Sequence, residues 1–320
     1  MDIKDYKIVF LGTPDISATL LEEMINYGFN IPLVVTQIDK PTGRNKKIEE
    51  SPVSKVAKKY NIEVIKPVKL NKDYSKIEEI KPDLLLTYAY GQIISTTVLS
   101  LSKLKPLNLH ASLLPKYRGA SPIQTCLLNG DKETGISLME MEKGMDTGKV
   151  YACEKLIIND DDNYTSLKER LTSLAFEMVK YYLPLYFEHK LVGIPQIEEE
   201  ATFTKMIKKE DEHLNINHNS SSFINKVRAL SLTPGSYLYF NDEIIKIYKA
   251  TYIDNIKLTD TGRIFKYQKK LVLQLNDGII SLDLIQRQGK KMMSGIDFLN
   301  GIKNIDEVIL KWIKPMQCVF

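Results

Sequence analysis

The first half of the chain alternates short apolar runs with stretches of helical periodicity, and this rhythm limits the possible folds most. The apolar runs cover residues 6–11, 31–36, 63–65 and 83–87, and they are typical of buried strands. Helical patterns lie between them, at residues 15–27, 52–60 and 72–80. Because strand–helix–strand units join by right-handed crossovers, the rhythm predicts a parallel, Rossmann-like α/β sheet.

The pattern changes near residue 190. Residues 191–204 contain Gly193, Pro195 and an acidic run, which favours a linker. Five short strands separated by turn residues follow, at 236–240, 244–251, 262–267, 271–275 and 278–284. They predict a small OB-like β-barrel. We therefore expect a first domain over 1–190, a linker over 191–204 and a second domain over 205–320, with a terminal helix or turn at 301–312.

Composition limits the compartment and the partners. No apolar run approaches the roughly 20 residues that cross a bilayer, and the first residues lack a signal-peptide layout. The cysteines Cys126, Cys153 and Cys318 are odd in number and far apart, so neither a disulfide framework nor a metal site is expected. These features predict a cytoplasmic protein without membrane association.

The net charge of +4 is distributed unevenly along the chain. Residues 205–320 contain 18 Lys and Arg against 12 Asp and Glu, a net +6, and the preceding residues contain 26 against 28, a net −2. A mildly basic second half permits a polyanionic partner, although a solvated surface has the same composition.

Candidate chemistry is concentrated in residues 106–119 and 144–148. Side chains alternate along a strand, so Asn108 and His110 project to the face opposite Leu107 and Leu109. Asn can donate to an oxyanion and His can carry a proton, while Asp146 in a Gly-bounded turn adds a carboxylate. The alternative is a satisfied core pair beside a plain turn.

Residues 108–123, from Asn108 through Ser112-Leu-Leu-Pro115 to Gly119, resemble the signature of formyltransferases that use 10-formyltetrahydrofolate. Residues 144–148 resemble the second half of that signature. The resemblance implies that Asn108, His110 and Asp146 are catalytic. It implies that the folate site is lined by Ser112, Leu113, Leu114 and Pro115.

The resemblance extends to family members that act on methionyl-tRNA. The basic loop over residues 40–47 is similar to the loop by which they hold the tRNA acceptor stem, which implies RNA contacts for Arg44, Lys46 and Lys47. Lys290 and Lys291 lie in a segment similar to their C-terminal barrel. The implied reaction moves the formyl group of 10-formyltetrahydrofolate to the α-amino group of methionyl initiator tRNA, without a metal and in a monomeric enzyme.

Two other functions stay open at this level. A formyltransferase for a small amine, such as a nucleotide amine or an amino sugar, would share the Asn108, His110 and Asp146 set. A non-catalytic RNA-binding protein could retain a degenerate folate domain, although an intact set of three residues argues against it.

Overall fold

A computed structural model describes residues 3–42, 47–240 and 243–301, which divide into two compact units. The first unit contains the chain up to Pro122 together with Glu133–Ile157 and Lys168–Thr204. The second contains Ile123–Lys132, Ile158–Leu167 and the chain from Lys205 onward.

The first unit is built on a seven-stranded sheet. Its strands are β1 (Lys7–Gly12), β2 (Asn30–Val35), β5 (Glu63–Ile65), β6 (Leu84–Tyr88), β7 (Leu107–His110), β9 (Glu133–Glu140) and β10 (Val150–Ile157). Their order is β10-β9-β7-β6-β1-β2-β5, and the five strands from β7 to β5 are parallel. The strands β9 and β10 are antiparallel additions at one side. The predicted Rossmann-like sheet is confirmed, with the buried runs of β1 and β6 at its centre.

The parallel strands of the first unit are connected by helices α1 (Asp15–Tyr27), α2 (Pro52–Lys59), α3 (Ser75–Ile80) and α4 (Thr96–Leu99). Most of α6 (Tyr164–Phe187), which follows β10, also belongs to this unit. The Ser51 hydroxyl accepts a hydrogen bond from Ser54 N at 3.1 Å, as expected for the N-cap of α2. The N-cap position of α1 is occupied by Pro14, and Asp15 is the first residue of the helix.

Two stretches that looked irregular in sequence contain paired strands. The basic loop begins and ends in an antiparallel hairpin, β3 (Lys40–Thr42) and β4 (Lys47–Glu49). The expected linker contributes β11 (Phe203–Thr204), which pairs with β8 (Arg118–Gly119). Residues 191–204 therefore pack with the first unit.

The second unit contains a curved antiparallel sheet. Its strands are β12 (Ser236–Phe240), β13 (Glu243–Asp254), β14 (Ile264–Tyr267), β15 (Lys270–Leu275), β16 (Gly278–Arg287) and β17 (Met292–Ser294). The main path is β12-β13-β16-β15-β14, with β17 on β16. Leu238 of β12 and Ile264 of β14 share one buried core, so the two end strands curl toward each other. This agrees with the expected small β domain.

Three helices also belong largely to this unit: α5 (Pro122–Asn129), α7 (Ser220–Ala229) and α8 (Gly295–Asn300). The helix or turn expected at 301–312 lies, beyond its first residue, outside the described residues. His213 is buried against the rings of Tyr237 and Tyr239, and this burial lowers its pKa. Across the described ranges, every helix is too short or too polar to traverse a bilayer.

Candidate active site

The carboxyl end of β7 carries the first two candidate residues. Leu107 and Leu109 are buried, Asn108 is half-buried, and His110 is 6% exposed. In the described part of the chain, the Asn108 side-chain amide makes no hydrogen bond, although its strand pairs with Thr87 and Met139. Asn108 is therefore not a satisfied core residue. Its amide is available to a ligand.

The His110 imidazole has a defined orientation. Its Nε2 lies 2.9 Å from the Tyr117 carbonyl oxygen, which can only accept, so Nε2 carries the hydrogen. The other ring nitrogen, Nδ1, lies 3.6 Å from Asp146 Oδ2. Because the backbone fixes Nε2, Nδ1 is the nitrogen that can exchange a proton at the site.

Asp146 lies in the turn between β9 and β10. Its φ of 54° is in the left-handed region, which Asp tolerates better than most residues. Its Oδ2 accepts a hydrogen bond from Gly119 N at 2.8 Å. A Cβ on Gly148 would lie 1.9 Å from the Glu140 carbonyl oxygen, so only glycine fits at the end of this turn. The structure thus brings His110 and Asp146 together, as the sequence signature implied.

Behind this turn lies a polar cluster that we call the Arg118 cluster: Arg118, Gln196 and Glu198. The Arg118 side chain is 1% exposed, and its two terminal nitrogens donate to the two Glu198 oxygens at 2.8 and 2.7 Å. This pairing raises the pKa of the Arg118 guanidinium and lowers the pKa of the Glu198 carboxyl, so the pair is charged. Arg118 Nε also donates to Gln196 Oε1 at 3.0 Å.

The Arg118 cluster was not identified from the sequence. Residues 191–204 had the composition of a linker. The Gln196 amide lies 50 positions from Asp146, so no sequence period connects the two residues. The available signal was chemical: a cation such as Arg118 in a Gly/Pro-rich segment needs a carboxylate partner if it is buried.

The expected folate segment, Ser112 to Pro115, forms the loop after β7. Ser112 is fully buried and its hydroxyl donates to the Lys116 carbonyl at 2.6 Å, so it supports the loop from inside. Leu113, Leu114 and Pro115 are half-buried and leave apolar surface accessible. Ser137 on β9 fixes the loop by donating to Ser112 O and accepting from Leu114 N.

The candidate RNA-binding cations are placed only in part. Arg44 and Lys46 lie outside the described residues, and for Lys47 only its backbone in β4 is described. Lys290 and Lys291 are exposed in the turn between β16 and β17. Within residues 3–42, 47–240 and 243–301, no group of three His, Cys, Asp or Glu side chains is placed to hold a metal ion.

Comparisons with known proteins agree over most of the chain. Residues 6–181 match the family model described as formyl transferase, and residues 206–303 match the model of the formyl transferase C-terminal domain. Proteins named methionyl-tRNA formyltransferase are similar over almost their full length. The one from Dictyoglomus thermophilum is 39% identical over 94% of this chain and 99% of its own, and that from Mesoplasma florum is 38% identical over 93% and 96%. The Staphylococcus aureus protein is 36% identical over 93% and 97%.

Solved structures show the same fold at low identity. A sugar 3N-formyl transferase, WlaRD, aligns with a TM-score of 0.65 at 20% identity, over 89% of this chain and 99% of its own. The N-formyltransferase from Helicobacter canadensis gives 0.66 at 20%, over 88% and 99%. HypX from Aquifex aeolicus gives 0.66 at 16%, over 92% of this chain and 48% of its own.

Proposed function

The chain belongs to the formyl transferase family, and we propose that it transfers the formyl group of 10-formyltetrahydrofolate to the α-amino group of methionine on initiator tRNA. The product is formylmethionyl-tRNA, which is used in translation initiation. Full-length identity of 36–39% to proteins named methionyl-tRNA formyltransferase supports this acceptor over other amines.

One observation carries the catalytic assignment: the half-buried Asn108 amide has no partner in the described chain and shares its strand with His110, which faces Asp146. A polar group held at a strand end without an internal partner suits a ligand that supplies one. An amide donor, an imidazole and a carboxylate together match a reaction in which an oxyanion forms and a proton moves.

The amine attacks the formyl carbon, so a carbon–nitrogen bond forms and negative charge grows on the formyl oxygen. The attacking amine must be neutral, and a reference pKa near ~8 makes that form accessible at neutral pH. Asn108 donates a hydrogen bond to the charged oxygen. When the bond from the formyl carbon to the folate N10 breaks, the amine loses one proton and N10 gains one. His110 Nδ1 carries this proton, and Asp146 stabilises the charged imidazole.

The formyl donor fits the residues beside this set. Leu113, Leu114 and Pro115 offer half-exposed apolar surface for an aromatic ring system, and Asn108 can reach a carbonyl oxygen beyond the strand end. A neighbouring fold, WlaRD, was crystallised with 5-N-formyl-THF, and HypX with tetrahydrofolic acid. The buried Ser112 holds the loop in place.

The tRNA is held by cations on both parts of the chain. Arg44, Lys46 and Lys47 contact the acceptor arm, while Lys290 and Lys291 contact backbone phosphates, which position an RNA without reading its bases. In this arrangement residues 1–190 form the catalytic domain, 191–204 connect the domains, and 205–320 form the tRNA-binding domain. The enzyme works as a monomer in the cytoplasm, and light scattering of the purified protein tests the monomer.

A single assay tests the proposed function. The purified protein is incubated with 10-formyltetrahydrofolate and one of three acceptors: methionine-charged initiator tRNA, methionine-charged elongator tRNA or dTDP-3-aminofucose. We expect rapid formylation of the initiator tRNA alone. Formylation of the amino sugar alone would identify a small-amine formyltransferase. Binding of tRNA without any transfer would identify a non-catalytic RNA-binding protein.

A further inference from the structure

The Gln196 side-chain amide holds the Asp146 turn through hydrogen bonds to two backbone carbonyls of that turn. Its Nε2 donates to the carbonyl oxygens of Asp146 and Gly148, at 2.8 and 2.7 Å. Its Oε1 accepts from Arg118 Nε at 3.0 Å. Carbonyls only accept and Arg only donates, so this chemistry permits a single orientation of the amide. Both N–H groups of Gln196 are used on one turn.

Arg118 fixes Gln196 because its own position is over-determined. The guanidinium is 1% exposed and makes a bidentate ion pair with Glu198, and this pairing sets the direction of Nε. The next residue, Gly119, donates its N–H to Asp146 Oδ2 at 2.8 Å. Gly119 therefore binds the Asp146 carboxylate directly, and Arg118 acts on the Asp146 backbone through Gln196.

We propose that Gln196, oriented by Arg118 and Glu198, is a positioning residue that sets the Asp146 carboxylate against His110. Asp146 has a φ of 54°, a conformation that persists only where surrounding contacts hold it. Its Oδ2 lies 3.6 Å from His110 Nδ1, so a small rotation of the turn decides whether the two groups can share a proton. The side-chain hydrogen bonds of Gln196 go to Arg118 and to the Asp146 turn and not to His110, so its effect passes through Asp146. The catalytic consequence rests on the proposed function.

Gln196→Glu tests this role with almost no change in shape. A carboxylate oxygen would face two carbonyl oxygens, while the contact with Arg118 survives. We expect kcat for formyl transfer to fall about 10–100-fold, because a misplacement near 1 Å has that effect. The KM values for charged tRNA and for the formyl donor should stay within about twofold of wild type. Gln196→Met removes both donors without adding charge and should give a similar fall.

The second unit offers a matched control. Gln274 is fully buried, and its Nε2 donates to the carbonyls of Leu275 and Gly278 at 3.0 Å each. Gln274→Glu therefore makes the same chemical change near the end of β15, remote in sequence from the site. It should lower Tm and leave kcat per folded molecule unchanged. Circular dichroism gives the folded fraction of each variant.

A double-mutant cycle separates positioning from general stability. If Gln196 acts through Asp146, Gln196→Met should cost little further activity in an Asp146→Asn background, measured by single turnover. The inference is overturned if folded Gln196→Glu keeps the wild-type kcat, or if Gln196→Met lowers activity to its full extent in the Asp146→Asn background. An inactive wild type would instead reject the proposed function. Crystal structures of wild type and Gln196→Glu then still test whether the Asp146 turn is displaced.

Discussion

The Asn108 amide is the group that we expect to act only when charge has formed on the substrate. Asn108→Ala removes this donor without removing an internal hydrogen bond among the described residues, so the fold should tolerate the change. We expect kcat to fall ~100–1,000-fold, as when other enzymes lose one oxyanion donor. Steady-state kinetics with charged initiator tRNA measure this fall. Near-normal kcat in folded protein would reject the oxyanion role of Asn108.

Asp146→Asn keeps the shape of the turn and removes its charge. Asn tolerates the left-handed φ of 54°, and its Oδ1 can still accept the Gly119 N–H. Turnover should therefore collapse, because His110 loses the anion that stabilises its charged form. Folate binding, measured by titration calorimetry, should survive. If folate affinity falls in parallel with turnover, Asp146 is a ligand-binding or structural residue instead of a catalytic one.

Strand alternation correctly placed Leu107 and Leu109 in the core and left Asn108 partly accessible. The tautomer of His110 could not be predicted, because it depends on the Tyr117 carbonyl across a loop. The contact of Gln196 with the Asp146 turn also joins positions 50 apart, which only tertiary structure brings together.

At the scale of elements, the start of β6 is held in place by a charged anchor, the Asp83 carboxylate. Asp83, just before β6, accepts from Lys7 N of β1 and from Lys103 Nζ, both at 2.7 Å. Burial works to raise the pKa of the Asp83 carboxyl, but these two hydrogen bonds outweigh it, and the pKa is lowered. The anchor therefore stabilises the first unit whenever Asp83 is ionised.

Asp83→Asn should reduce the free energy of unfolding by about 1.5–3 kcal/mol at neutral pH, since hydrogen bonds to charged groups contribute in this range. A carboxyl whose pKa is lower when folded stabilises the protein above its unfolded pKa, near 3.9, and loses that contribution as pH falls through the folded value. In urea denaturation, the deficit in the free energy of unfolding of Asp83→Asn relative to wild type should be constant from pH 8 to 5 and should shrink below about pH 4. A deficit independent of pH down to 3 would contradict this account.

Elements with strong periodicity were predictable, and those defined by pairing were not. The strands at 236–240 and 271–275 and the helix beginning at Pro52 match within one residue, because each has clear patterning and turn residues at its ends. The short strands β8 and β11 have two residues each, too few for any period, and they exist only through their mutual pairing. Helix α5 was missed because its apolar positions follow directly on the signature loop.

At the scale of the whole molecule, charge is separated along the chain, with a net +6 from residue 205 onward and −2 before it. A basic surface raises affinity for any polyanion, so overall charge alone does not identify an RNA-binding face. The proposed function requires more: particular cations must contact particular phosphates. Lys290 and Lys291, together in one exposed turn, are the described pair that this requirement concerns.

Each cation that neutralises a phosphate releases a counterion. Removing one such cation therefore lowers the slope of log Kd against log salt by about 1 unit. Lys290→Ala/Lys291→Ala should therefore weaken binding of charged initiator tRNA and flatten its salt dependence by up to ~2 units. Arg44→Ala should flatten it by about 1 unit. The KM for the formyl donor should not change in either variant. Filter binding between 50 and 200 mM salt gives the slopes.

Lys269 and Lys270 supply the matched control, since they are also adjacent, exposed lysines at a turn of the second unit. Lys269→Ala/Lys270→Ala changes the net charge by the same amount, so any effect of overall charge is common to both double variants. If only the pair at 290 and 291 flattens the slope, these lysines contact the RNA directly. If both pairs lower affinity equally, the second unit attracts tRNA through its general field, and the contacts that orient the acceptor arm must come from Arg44 and its neighbours.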